Sequence, residues 1–374
     1  MTVYKNSPTA LPACAERQPA FDLPRGRGSA SRPDARYLDH RRQAFDDGWP
    51  AEGDDAGQPL RTQLFIDSAR SVISYNSSPD VPFDRSINPY RGCEHGCIYC
   101  FARPSHAWLD LSPGLDFETK LFWKPDAAAL LRKELAAPGY RCAPIALGMN
   151  TDAWQPVERH TGLTRQLLEV LRETRHPVSL ITKSALIERD LDLLAELARE
   201  DLVEVTISVT TLDDALARRL EPRAARPGRR LETLRRVHEA GVPVGVLFAP
   251  LIPALNDHEM EAVVEAAHAA GARSAGYVLL RLPQELAGLF EEWLATHFPA
   301  RAARVMSRIA ELRGGKANDP RFGHRMRGEG VIAQLYSQRM RRLQARLGMG
   351  RMRRELNTAL FRPPRPDGPQ LALF

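Results

Sequence analysis

From about residue 85 onward the chain alternates short apolar runs with amphipathic helical patterns. The approach to Cys93, then "PIALGM" (144–149), "VSLIT" (178–182), "LVEVTISV" (202–209), "VGVLFA" (244–249) and "AGYVLL" (275–280), read as strands. Most carry aliphatic or β-branched residues at successive positions, the pattern of strands covered on both faces in a parallel sheet. Between them the period changes to that of helices. "DAAALLRKELAA" starts at Asp126, a plausible N-cap. "TGLTRQLLEVLRET" puts Leu163, Leu167, Leu168 and Leu171 on one face, and "RDLDLLAELARE" does the same with Leu191, Leu194 and Leu197. "RRLETLRRVHEAG" and "DHEMEAVVEAAHAAG" close at Gly241 and Gly271, where C-capping glycines belong. Six strands with intervening helices predict an α/β fold, and right-handed crossovers curve it into an open, partial (β/α)6 barrel.

The flanks lack this rhythm. Residues 1–60 are rich in Pro, Gly, Arg, Ala and Asp and predict a poorly ordered leader with one short helix near Arg41. "RTQLFIDSARSVISYNSSPDVPF" (61–83) suggests a β-hairpin leading into a barrel domain that ends near 298. Residues 299–355 are helical only, and 356–374 read as a loose tail.

Composition adds exclusions. With 43% hydrophobic and 26% charged residues among 374, this is an ordinary soluble globular balance. No apolar run is long enough for a membrane span, and the first residues lack a signal peptide's pattern, so a cytoplasmic protein is expected. The net charge of +6 is uneven. Between Arg301 and Glu355, 14 Arg and one Lys face four acids, a local net of +11. This basic helical extension suits an anionic partner, nucleic acid first, or is a solvated arginine-rich face.

Five cysteines occur, three of them in "RGCEHGCIYC" (91–100) as C-x3-C-x2-C. Such clustering argues for a metal or redox site rather than a disulfide framework. Structural zinc needs four ligands, which His95 or His106 would have to complete. Thiolates are the normal ligands of iron–sulfur clusters, and three of them on a four-iron cluster leave one iron open. Cys14 falls in the leader, and Cys142 reads as a packing thiol.

C-x3-C-x2-C with Tyr99 before the last cysteine, at the first strand of a (β/α)6 rhythm, resembles the signature of the radical S-adenosylmethionine (radical SAM) superfamily. The later segments "GMNTDAWQPVE", "LITKSALIERDLDLL", "TISVTTLDDALARRLEPRAARPGRRLETLRRVHEAG" and "VPVGVLFAPLIPALND" resemble its spore photoproduct lyase-related, DNA-repair-photolyase-like branch, over roughly 85–345. The resemblance implies an enzyme with a [4Fe–4S] cluster on Cys93, Cys97 and Cys100. Its open iron binds SAM, and SAM cleavage yields a 5′-deoxyadenosyl radical that abstracts hydrogen from substrate. It also implies SAM contacts from Tyr99, from the Asn150–Thr151–Asp152 segment and from Lys183, and an electron donor such as flavodoxin or ferredoxin.

Each assignment has a plainer counterpart: a packing ring for Tyr99, a turn for 150–152, a solvated lysine for Lys183. Ser208, buried in a strand, needs either SAM or a backbone carbonyl as partner. Arg223 and Arg226, in "EPRAARPG", suit a carboxylate or phosphate, or simply solvent. Two positions depart from the lyase pattern. Met149 replaces the hydrogen-donating cysteine and Phe101 replaces the relay tyrosine, and neither side chain donates hydrogen atoms in that way. The substrate stays open between nucleic acid and a peptide or small metabolite, with a non-catalytic metal-containing nucleic-acid-binding protein as the outlying alternative.

Overall fold

Seven strands run in parallel register through one eight-stranded sheet, with an eighth, antiparallel strand at one edge. The computed structural model describes residues 26–38, 60–351 and 355–364. Its strands are β1 (Gln63–Ile66), β2 (Ile73–Tyr75), β3 (Arg85–Ile87), β4 (Tyr90–Arg91), β5 (Lys120–Trp123), β6 (Ile145–Leu147), β7 (Val178–Thr182), β8 (Val203–Ser208), β9 (Val244–Leu251), β10 (Ser274–Leu279) and β11 (Gly350–Arg351). The six expected strands are therefore β3 and β6 to β10. Helices Leu163–Glu173, Leu191–Ala198, Pro227–Glu239 and Met260–Ala269 fill the crossovers and bury the leucine and valine faces read from the sequence. Edge strands β2 and β11 do not pair with each other, so the sheet is open.

The flanks depart from expectation. Residues 61–83 do not form a hairpin. β1 pairs in parallel with β5 in a separate three-stranded sheet, while β2 pairs with β3. The intervening "DSARSV" is too irregular to reverse the chain tightly, and each strand finds a partner farther along. The leader is not loose at 26–38, where Arg27, Gly28 and Ser29 are buried. Cys14 and the short helix expected near Arg41 lie outside the described residues. The tail also packs at 356–364. Asn357 N–H donates to Asp201 O (3.0 Å), Arg362 N–H to Thr174 O (2.8 Å), and Phe361 lies edge-on to His176.

The basic extension is folded onto the body. Helix Pro299–Glu311 packs on Leu286–His297, and Gly330–Leu347 packs on Met260–Ala269. Arg339 and Arg346 of the last helix pair with Glu261 and Glu265. The connection between the two extension helices closes the open side of the sheet. Its Met326 carbonyl accepts from Leu279 N–H at the end of β10. Its Arg325 pairs with Asp80, which lies between β2 and β3 at the opposite edge, and Gly323 N–H donates to the same carboxylate at 2.7 Å.

Candidate functional site

The cysteine loop follows β4. It must turn sharply against α/β backbone, and glycine permits this at two points. Gly92 and Gly96 have φ of +80° and +66°, and a Cβ on either would come within 2.7 Å of Leu121 or Glu118. Cys93 N–H donates to Phe117 O (3.0 Å), Cys100 N–H to Cys97 O (3.2 Å), and Ile98 N–H to Leu220 O (3.0 Å). Ile98 and Tyr99 are thereby driven into a second apolar core with Leu216, Leu220, Ile252 and Phe290.

The three thiols are free, two of them fully buried, and burial raises all three, Cys97 to about 12. They stay protonated at neutral pH until a cation displaces the protons. Among the described residues no three His, Cys, Asp or Glu side chains converge as they would around a single ion. His106, a candidate fourth zinc ligand, instead sets its Nε2 against Lys120 O at 2.9 Å. Three soft donors on one buried loop suit a cluster of several irons.

Behind the loop sits a fully buried ion pair. Arg103 donates from Nε to Cys97 O (2.8 Å), from Nη2 to Gly96 O (3.1 Å), from Nη1 to Gly114 O (2.9 Å), and pairs with Glu118. Glu118 also accepts from the backbone N–H groups of Gly28 (2.9 Å) and Ser29 (3.0 Å). The 26–38 segment is thus a strap over the back of the cysteine loop, extended by Ser31 to Glu292 and Arg36 to Glu285. On another side, Gln155 accepts from Glu94 N–H (2.8 Å) and donates to Gly92 O (3.2 Å), joining the loop to the segment after β6.

In front of the loop, the ends of β7, β8 and β9 carry a second polar network. Lys183 Nζ donates to Ser208 Oγ at 2.7 Å, lies 3.6 Å from Glu221, and stands 5.6 Å over the Tyr99 ring. Glu221 accepts from Tyr99 Oη and from Thr210 Oγ1 (2.6 Å) and pairs with buried Arg230, which also donates to Ser208 O (3.0 Å). Burial works to raise the Glu221 carboxyl, but Arg230 and then Lys183 overcome it and hold it at about 2. Asp152 accepts from Thr182 Oγ1 (2.7 Å) and Lys183 N–H (2.8 Å) and lies 3.4 Å from His95 Nδ1. Burial lowers His95, so its imidazole is neutral.

The expected residues separate into three groups. Tyr99, Asp152, Lys183 and Ser208 come together beside the cysteine loop. Asn150 is exposed, with only its N–H tied to Asn88, and Thr151 turns away to donate to Tyr90 O at 2.8 Å. Arg223 reaches back to Glu94 at 3.1 Å rather than into the mouth, and Arg226 is exposed. Ser208 meets both kinds of partner, Lys183 and the carbonyl of Ala249 (3.2 Å). Sequence reasoning missed Glu221, Arg230, Arg103, Glu118 and Gln155. Glu221 and Arg230 sit inside an arginine-rich stretch, and only their nine-residue spacing across a turn hinted at pairing.

A family model described as the radical SAM superfamily matches residues 87–267. An uncharacterized protein of Mycobacterium tuberculosis is 38% identical over 234 residues, 62% of this chain and 68% of that protein. An uncharacterized protein of Methanocaldococcus jannaschii is 27% identical over 173 residues, 46% of this chain and 62% of its own length. Among solved structures, a spore photoproduct lyase variant with bound AdoMet and dinucleoside spore photoproduct superposes with a TM-score of 0.54 at 14% identity, covering 76% of this chain and 78% of that one. At that identity the likeness is one of fold.

Proposed function

The chain belongs to the radical SAM superfamily, and from that premise we propose that Cys93, Cys97 and Cys100 hold its [4Fe–4S] cluster, that SAM binds between the cysteine loop and the ends of β6 to β9, and that the substrate is a nucleic acid. With both cofactors bound, the chemistry supplied is reductive cleavage of SAM to a 5′-deoxyadenosyl radical that abstracts hydrogen from substrate.

The protein's own residues fix and shield the site. Arg103 immobilises the carbonyls of Gly96 and Cys97 from behind. Glu221 and Arg230 hold Tyr99 and Ser208 in place, and Lys183 is presented as an ammonium among them. That ammonium is the group best placed to receive the SAM carboxylate, with Asp152 on the same rim for the amino group. Ile98 in its apolar core excludes water from the loop's inner side.

The observation that supports this reading is the meeting of three unpaired thiols, two of them buried, with the Lys183–Glu221–Arg230 network on one end of a parallel sheet. A nucleic-acid substrate is supported by the basic extension, although its arginines are partly spent. Arg308, Arg321, Arg325, Arg339 and Arg346 answer acids, while Arg301, Arg304, Arg341 and Arg342 remain exposed. The direct thymine-lesion repair of the lyase is not part of the proposal, because Met149 and Phe101 supply neither thiol nor phenol.

Anaerobic reconstitution is expected to give about four irons per chain, and dithionite with SAM is expected to give 5′-deoxyadenosine. A fully reconstituted protein that leaves SAM intact, with cell extract added as a source of substrate and of a flavodoxin- or ferredoxin-type donor, would sink the reading.

A further inference from the structure

Directly after the third cysteine, Phe101 is 44% exposed, and the guanidinium of Arg281 lies over its ring at 5.5 Å. Arg281 follows the end of β10, on the same side of the sheet as Lys183 and Ser208. Among the described residues no carboxylate touches it: it makes no ion pair, its Nε has no hydrogen-bond partner, and its single polar contact is Nη1 to Met326 Sδ at 3.6 Å. Asp80, the carboxylate that acts on it through space, is already taken by Arg325 and Gly323 N–H.

Beneath it, buried Arg313 donates to Leu280 O and to Arg325 O (2.9 Å), and so fixes the backbone on both sides of this patch. That second guanidinium adds positive charge, and among the described residues no acid forms an ion pair with it. Burial lowers both arginines, Arg313 to about 10, and a neighbouring guanidinium lowers each further, Arg325 beside Arg281 and Arg281 beside Arg313, against weaker pulls from Asp80 and Asp319.

A rigid guanidinium with unspent donors, laid on an exposed aromatic ring, is a receptor for an anion attached to a planar group. We propose that Phe101 and Arg281 form the substrate anchor of the site, with Arg281 taking a backbone phosphate and Phe101 stacking a base of a single-stranded or unpaired nucleic acid segment. This rests on the nucleic-acid reading above and deepens it. Phosphate is favoured over a lone carboxylate because the aromatic face and the cation are adjacent, as base and phosphate are along one strand. It also gives Phe101 a role that needs no transferable hydrogen.

The test is fluorescence anisotropy of a labelled single-stranded oligonucleotide on anaerobically reconstituted protein with SAM and without reductant, over a salt series. Iron content and the visible spectrum check that each variant is intact. Arg281→Ala is expected to weaken binding roughly tenfold and to flatten the dependence of log K on log salt by about one. Arg281→Lys is expected to keep the slope while losing part of the affinity. Phe101→Ala is expected to lose roughly tenfold with the slope unchanged, since stacking releases no counterion. Arg346→Ala, on the outer face, is the control.

Wild-type binding that Arg281→Ala leaves unchanged in affinity and slope overturns the anchor and leaves the nucleic-acid reading standing. No binding by intact wild-type protein at about 50 mM salt overturns both, because the electrostatic contribution is strongest there. Failure of SAM cleavage, measured separately, bears on the catalytic reading alone.

Discussion

At the residue scale, the buried charges decide most. Buried Glu221 pairs with buried Arg230 and lies 3.6 Å from Lys183, and removing the carboxylate strands the Arg230 guanidinium. Glu221→Gln is expected to cost about 3–5 kcal/mol, the usual loss when one partner of a buried pair is deleted. Its folded pKa of about 2 lies below that of the unfolded chain. The stabilisation is therefore present above the unfolded carboxyl value, about 4.5, and is lost as pH falls through the folded value. The gap in thermal midpoint between wild type and Glu221→Gln should be full at pH 7 and shrink below pH 4.5. A gap constant down to pH 3 would contradict the pairing. Lys183→Met should raise the Kd for SAM roughly 10- to 100-fold, the worth of a hydrogen bond to a charged group, while iron content stays within reach of wild type. Equilibrium dialysis would show it.

At the element scale, the strap is the least expected feature. Gly28 packs on Gly96 so closely that a Cβ there would fall 1.8 Å from the Gly96 carbonyl. Gly28→Ala is expected to lift the strap and expose Glu118, and Arg103→Met to release the carbonyls of Gly96, Cys97 and Gly114 and leave Glu118 buried without its cation. Both should lower the iron retained per chain after desalting, Arg103→Met the more. Full retention in both would show that the loop holds itself.

The sequence could not announce this. The strap has no period because the N–H groups of Gly28 and Ser29 run to one side chain, Glu118, about 90 residues on. Arg103 and Arg230 look like any solvated arginine, since burial of a charge depends on a partner that local pattern does not name. The strands were plain for the opposite reason: "VSLIT" and "LVEVTISV" are covered on both faces, which shows in every residue. β1 was misread because "QLFI" is exposed along its length, so its pattern is silent about which strand it pairs with. That Tyr99, Asp152, Lys183 and Ser208 lie together beside the cysteine loop was legible through the strand ends. Thr151 was not, because a hydroxyl near a ligand and a hydroxyl on a carbonyl look alike in sequence.

At the scale of the whole molecule, the sheet is open but its two edges are tied. Asp80 between β2 and β3 meets Arg325 and Gly323 from the far side of the fold, beyond β10. Asp80→Ala removes that clasp without touching the cysteine loop. Hydrogen exchange should speed up in 319–328 while β7 and β8 keep their protection. Unchanged exchange would mean the connection is held by Arg313 and Met326 alone. Because Arg281 lies beside the clasp, the same variant also reports whether the open side is where substrate enters.

The strap has one more consequence, which concerns the order of events during synthesis. Its anchors are Glu118, Glu285 and Glu292, the last 261 residues downstream of Ser31. The far part of the strap, Ser31 and Arg36, is therefore among the last to dock, long after the cysteines have emerged. Until Glu285 and Glu292 have been made, the far end of the strap has neither carboxylate to hold, and the cover over the back of the cysteine loop rests on Glu118. An iron–sulfur donor arriving in that interval meets a loop whose cover is pinned at one end only. One arriving later must wait for a segment pinned at three separate points to let go.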